Sequence, residues 1–271
     1  MAGYLLGITF VTPPVSRSFL APRSGFIGYA DHVVEAEDAI DVHGALYGAL
    51  APGWIDAGCL SHYVQVAATD ARTEECWHTL GFGREFVTAV RDTEALVPAD
   101  WPGEVRRARP GDLDTLMGFI DSLHRFEAVA PISRPYLPET PEERAVQAQM
   151  LDDQRCAHWL ALQDGQPLAV QSFQPPPQYL SRMIVPDGAI YLLHSYTQSA
   201  ARGRGIGTSL VALAMAWARE AGHKYCLLHF TAANLVSSRF WLGHGFRPVE
   251  HWLCHRLDER LVSARPRDHD A

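Results

Sequence analysis

Apolar residues along this chain fall into two spacings, and the spacings predict different elements. Alternating or continuous short runs at Tyr4–Val11, Val105–Ala108, Trp159–Gln163, Pro167–Phe173, Ala189–Thr197 and Lys224–Phe230 read as strands. Leu113, Leu116, Met117, Ile120 and Leu123 instead recur at helical spacing behind Pro110-Gly111-Asp112, a plausible helix opening. Further helices are expected at Glu142–Asp152 and at Ser209–Ala221, the latter closed by Gly222. Asp164-Gly165 between two of the strands is a hairpin turn. The polar stretch from Arg91 to Gly103, ending Trp-Pro-Gly, reads as a linker.

The joint between the strand at Ala189–Thr197 and the following helix carries the most chemistry. Arg202-Gly203-Arg204-Gly205-Ile206-Gly207-Thr208 puts three glycines where a strand turns into a helix. Such a turn points bare backbone N–H groups outward at the positive end of the helix dipole, which makes a phosphate cradle. The glycine spacing is one residue short of a dinucleotide fingerprint, and no lysine is present for a Walker loop. After the next strand come Asn234, Ser237, Phe240, Trp241, Gly245 and Phe246.

In this order, the two segments resemble the R/Q-x-x-G-x-G/A and N-x-x-A-x-x-F-Y-x-x-x-G-F motifs of the GNAT family of N-acetyltransferases. Ser237 stands for the alanine and Trp241 for the tyrosine. The resemblance covers about Gly103–Leu257. It implies an α/β (α+β) mixed-sheet fold of the acyl-CoA N-acyltransferase type and acetyl-CoA as co-substrate. The pyrophosphate would lie on Arg202, Gly203, Arg204, Gly205, Ile206, Gly207 and Thr208, with Asn234 and Phe240 beside it. In that fold the fourth and fifth strands splay, and the pantetheine arm pairs with free backbone groups, here at Tyr196 and Thr197.

The reaction the resemblance implies is attack of an amine on a thioester, which needs a group to remove a proton. Of the family's two glutamate positions, one is Tyr191 here, eleven residues before Arg202. The other, five residues before Asn234, is His229, the expected catalytic base; His194 is a second candidate. Either histidine could equally be a hydrogen-bonded strand residue. Trp241 cannot supply the proton that the motif tyrosine gives the departing thiolate. The acceptor pocket would use the proline-rich segment Phe126–Glu142, in which Glu127 is either an ammonium partner or a solvated loop residue. The expected acceptor is a small-molecule amine or a peptide N-terminus.

Shifting the chain by 164 residues against itself brings out a second copy. Gly81-Phe82 falls on Gly245-Phe246, Trp77 on Trp241, Asp70 on Asn234 and Ala57-Gly58 on Ala221-Gly222. The copy lacks the cradle: in Glu37-Asp38-Ala39-Ile40-Asp41-Val42-His43 every glycine is gone, and three carboxylates stand where they would repel a pyrophosphate. The expected organisation is a tandem repeat: residues 1–95 as a truncated first copy without a coenzyme A loop, 103–259 as the acetyltransferase domain, and 260–271 as a flexible tail.

Composition alters this picture little. The chain is 47% hydrophobic and 20% charged, with net charge −8, which argues against a nucleic-acid surface and suits a cationic amine. No apolar run reaches membrane-spanning length and no signal peptide is evident, so a cytoplasmic protein is expected, with no membrane partner. Dimers occur in the family, and nothing here argues for or against a homodimer. Five cysteines without a C-x-x-C pair read as free buried thiols. On a strand His251 and His255 face away from Cys254, so no metal is expected. Two rival functions remain, a non-catalytic acyl-CoA sensor and an interaction scaffold.

Overall fold

The computed structural model describes residues 3–13, 19–35, 37–178 and 180–263. Of the tail expected at 260–271, residues 260–263 are described and residues 264–271 lie outside them. The first part of the chain forms β1 (Gly3–Leu5), β2 (Ile8–Val11), β3 (Arg23–Ile27), β4 (His32–Val34), α1 (Ala39–Asp56), β5 (Ser61–Ala67), α2 (Ala71–Thr79) and β6 (Gly83–Asp92). The remainder forms β7 (Glu104–Arg107), α3 (Leu113–Glu127), α4 (Pro141–Asp152), β8 (Ala157–Gln163), β9 (Gln166–Gln174), β10 (Ala189–Thr197), α5 (Ile206–Glu220), β11 (Tyr225–Thr231), α6 (Leu235–Gly243), β12 (Arg247–Arg256) and α7 (Arg260–Ser263). The mixed α/β class is as expected. Two boundaries differ. The N-terminal run splits into β1, paired with β4, and β2, paired with β3. Helix α5 starts three residues before the expected Ser209, because Gly205 at φ 80° turns the chain directly into the helix.

Two compact units divide the chain, Met1–Val87 with Val249–Ala271 and Thr88–Pro248. In the first, the strand order is β2-β3-β5-β12-β6, and β12 pairs antiparallel with β5 from Glu250↔Ala67 to Arg256↔Ser61. Its core gathers Ile27, Trp54, Val64, Val66, Trp77, Phe82 and Leu253. In the second, the order is β6-β11-β10-β9-β8-β7. The strand beside β5 thus comes from the end of the chain, and the strand beside β11 from its middle.

Adding 164 to the bounds of β5, α2 and β6 gives the bounds of β11, α6 and β12. The local chemistry repeats as well. Asp70 caps α2 by accepting the Thr73 N–H at 3.0 Å, and Asn234 caps α6 by accepting the Ser237 N–H at 3.0 Å. Each helix ends on a glycine of positive φ, Gly81 at 89° and Gly245 at 84°. The correspondence slips by one residue at β3, where Ser24, not Gly25, pairs with Ser61.

Candidate active site

The site lies in the unit Thr88–Pro248, where β10 and β11 part company. They pair in parallel only from Ala189↔Tyr225 to Leu192↔Leu228. Beyond that point β10 continues against β9 as far as Thr197↔Ala169, through a bulge between Leu192 and His194. The edges of β10 and β11 that face each other past Leu192 and Leu228 carry no ladder, so the expected splay is present.

The glycine loop opens beside it. Gly203 and Gly205 have φ of 74° and 80°, the left-handed region that disfavours a side chain. The N–H groups of Gly203 through Thr208 find no acceptor among the described residues. An uncapped helix start with this many bare donors fits an anionic group such as a pyrophosphate. Close packing shapes the loop: a Cβ on Gly207 would come 3.1 Å from the Phe240 ring. His244 donates from Nδ1 to the Phe240 carbonyl at 2.7 Å, which leaves Nε2 to accept the Thr208 hydroxyl at 3.1 Å. Helix α6 therefore braces the cradle through Phe240 and His244.

Arg202 faces inward. Its guanidinium stacks over Phe126 at 4.5 Å and Tyr196 at 5.5 Å, and its Nε donates to the Thr197 carbonyl at 3.0 Å. That carbonyl, expected to be free for a pantetheine arm, is engaged by Arg202. Arg204 points outward and donates to Gln163. Asn234 spends its side-chain oxygen on the α6 cap.

His229 lies on β11 and shares a hydrogen bond through Nδ1 with the Tyr191 hydroxyl. Burial, with help from the Arg134 charge, pushes its pKa down to about 3, so the ring is neutral at ordinary pH. His194 is likewise pushed to about 3, by burial and then by His124, His158 and His229. The two histidines therefore sit in one neutral cluster, each a poor match to a proton leaving near neutral pH.

Glu127 corrects the expectation of a solvated loop residue. It is the last residue of α3, and its carboxylate accepts Arg134 Nη1 at 3.1 Å. Both side chains are largely buried, at 14% and 7% exposure. The same Nη1 lies 3.5 Å from the Thr231 hydroxyl, which ties the pair to β11 at the splay. Burial raises the Glu127 pKa against the opposing pull of Arg134.

Two features escaped sequence reasoning. The supposed linker is pinned to the cradle helix: Ser209 Oγ donates to the Ala99 carbonyl at 3.2 Å, and a Cβ on Gly205 would meet that of Ala99 at 2.5 Å. Trp101 packs with Ile206 and Leu210, and this tryptophan in a polar stretch was the available signal. The Glu127–Arg134 pair had no signal beyond a charged residue on each side of a proline-rich turn.

Residues 123–246 match the model of the acetyltransferase (GNAT) family. Among solved structures, the chain is similar to a GCN5-related N-acetyltransferase from Sphaerobacter thermophilus, at TM-score 0.61 and 14% identity over 94% of this chain and 76% of that one. It is also similar to a functionally unknown conserved protein from Staphylococcus epidermidis ATCC 12228, at TM-score 0.50 and 12% identity over 92% and 91%. A putative acetyltransferase from Agrobacterium tumefaciens str. C58 shares 28% identity over 53% of this chain and 92% of that one, at TM-score 0.40. No curated protein matches the chain. The family model thus matches residues 123–246, and the likeness to the Sphaerobacter thermophilus structure shows the fold.

Proposed function

We propose that the protein is an acetyl-CoA-dependent N-acetyltransferase acting on a primary amine, with the transfer performed in the unit Thr88–Pro248. The observation that carries this reading is the pairing of a bare N–H cradle at Gly203–Thr208 with the open strand edges beyond Leu192 and Leu228. Bound there, acetyl-CoA would supply a thioester for an amine to attack. The cradle N–H groups would hold its pyrophosphate, with Phe240 and His244 keeping the loop in shape. Tyr196 and Thr197 would offer backbone groups to the pantetheine arm once Arg202 turns from the Thr197 carbonyl to a phosphate. His229, neutral and hydrogen-bonded to Tyr191, lies on the β11 side of the splay.

Residues 1–95 are read as a degenerate first copy, supported by the shared element bounds and the matching caps. Its loop has none of the three glycines and bears Glu37, Asp38 and Asp41 in the matching stretch. Each copy would then complete its sheet with the other's last strand.

A second reading has one observation behind it. Trp241 is buried at 4% exposure against Phe246, and its indole cannot protonate a leaving thiolate as a tyrosine would. A protein that binds acyl-CoA without turnover would tolerate that loss.

Calorimetric titration of acetyl-CoA tests the main reading with two variants of an open position. A Cβ at Gly203 meets nothing within 4 Å, and Asn and Asp both tolerate its left-handed φ. Gly203→Asp puts a carboxylate in the cradle and should cost on the order of 100-fold in affinity, about 2.7 kcal/mol. Gly203→Asn, equal in shape, should stay within a few fold of the unaltered protein. Absence of binding to the unaltered protein would overturn the reading.

A further inference from the structure

Three groups converge on the β11 side of the splay that the proposed chemistry has not yet used: Glu127, Arg134 and Thr231. An amine arriving at neutral pH is an ammonium, and it must lose a proton before its lone pair can reach a thioester carbon. His229 and His194, with pKa values near 3, hold protons too weakly for that work. A carboxylate inside the protein is a better match, provided something keeps it ionised and aimed.

We infer that Glu127 is the group that takes the proton from the acceptor ammonium, and that Arg134 is a positioning residue that holds it at the splay. This inference rests on the acetyltransferase reading above. It draws first on geometry. Glu127 ends α3 next to Phe126, whose ring lies under Arg202 of the cradle at 4.5 Å. On its other side Arg134 bridges the carboxylate to Thr231 on β11. The carboxylate is thereby tied to the strand that borders the splay, and the residue before it packs under the arginine of the loop proposed to carry the pyrophosphate. Arg134 Nη1 donates to Oε2, and among the described residues Oε1 has no hydrogen bond, which leaves it to meet a donor.

Electrostatics agree with the placement. Burial raises the Glu127 pKa, the direction that suits a proton acceptor, and the Arg134 charge opposes that rise. His124 on α3 and His229 on β11 also feel the Arg134 charge. Burial first, and the guanidinium second, hold both of them neutral. The pair is thus one cation and one anion among neutral imidazoles, an arrangement that accepts a further cation at the free carboxylate oxygen.

The step balances without another reagent. The ammonium N–H bond breaks and its proton passes to the Glu127 carboxylate, giving a neutral acid and an amine lone pair. That lone pair forms the N–C bond while the C–S bond breaks and its electrons leave on sulfur. The second nitrogen proton ends on the thiolate, and Glu127 returns its own proton to water. The net reaction is ammonium plus acetyl thioester to amide, thiol and one proton.

The test is the pH profile of kcat/KM, read as thiol release from acetyl-CoA with tyramine, spermidine and lysine as acceptors. Acetyl-CoA affinity is measured in parallel by calorimetry. Glu127→Gln, which preserves size and the bond to Arg134, should lower kcat/KM at least 100-fold and leave acetyl-CoA affinity within about threefold. Arg134→Met should move the acid limb upward by about one to three pH units, because the carboxyl loses its charge partner. Arg134→Lys keeps a charge there and should hold the limb nearer its original place, which separates this effect from loss of fold. Near-normal turnover by Glu127→Gln, or an acid limb unmoved in Arg134→Met, would overturn the inference. So would an unaltered protein that binds acetyl-CoA yet acetylates none of the three amines, an outcome that leaves the cradle standing.

Discussion

Residues 70–82 and 234–246 are built alike, and the loops that precede them in the proposed repeat are not. Both segments start with an Asx cap, bury a tryptophan and end on a Gly-Phe pair. The Trp77 and Phe82 rings meet edge-on at 4.9 Å, and those of Trp241 and Phe246 at 5.4 Å. At the loops the two diverge. Gly207 is small enough for Phe240 to close on the cradle. The aligned His43 is buried at 1% exposure, donates to the Ala39 carbonyl at 2.8 Å and sets its ring 5.3 Å from Trp77. The first loop is filled and acidic, while the second has bare amides. In the proposed repeat the two halves share a tryptophan core and differ in loop chemistry, since burial needs only shape and apolar area.

The hardest test of that likeness is the pair of tryptophans. Trp77→Ala and Trp241→Ala should each cost about 3–5 kcal/mol, the range for deleting a large core aromatic. Urea unfolding measures both. A small loss at either position would mean that the two rings do not play the same part.

Acid should next separate the units. In the unit Thr88–Pro248, burial pushes His158 to about 4 and both His194 and His229 to about 3. Below their unfolded value near 6.5, the unfolded chain binds the protons that these folded rings refuse. Stability is therefore full above pH 6.5 and falls as pH drops toward 3, by up to about 1.4 kcal/mol per pH unit for each ring. In the other unit, His62 is pushed to about 4. His194→Phe should flatten the acid side of the stability curve by about 2 kcal/mol between pH 6.5 and 4.5. An unchanged slope would show that His194 titrates normally in the fold.

Capping offers a smaller effect of the same kind. Asp70→Ala and Asn234→Ala each remove the one side-chain acceptor at a helix start and should cost about 1 kcal/mol in thermal or urea unfolding.

Most of the scaffold was legible in the sequence because periodicity, caps and turn glycines act locally. The strands from Trp159 to Phe230 and the helix end at Gly222 follow from residues a few positions apart. The cradle was legible for the same reason, since Gly203, Gly205 and Gly207 shape the very backbone they belong to. What stayed hidden depends on distant partners. Nothing near Glu127 says that Arg134 will fold back onto it, and the solvated-loop expectation failed there. Nor does His229 announce that burial will hold it neutral. The placing of β12 beside β5 was equally invisible, because strand order is a property of the assembled sheet and not of either strand's pattern.

The finest discrimination concerns Asn234, which the family resemblance assigns to the cofactor and the structure uses as a cap. Exchanging the two caps separates these roles. Asp and Asn cap about equally well, and a charge at a helix N-terminus adds about 0.3–1 kcal/mol at low salt. Asp70→Asn should therefore lose a few tenths of a kcal/mol, and the loss should shrink in high salt as the dipole term is screened. Asn234→Asp should gain or lose no more than that, although its site is buried at 7% exposure. If Asn234 is only a cap, acetyl-CoA affinity stays within about threefold of the unaltered protein. If its amide also meets a phosphate, the new carboxylate repels the ligand and affinity falls tenfold or more, about 1.4 kcal/mol. Calorimetry on this one variant therefore decides whether residues 70 and 234 are equivalent, or whether only the second unit has put its cap to a further use.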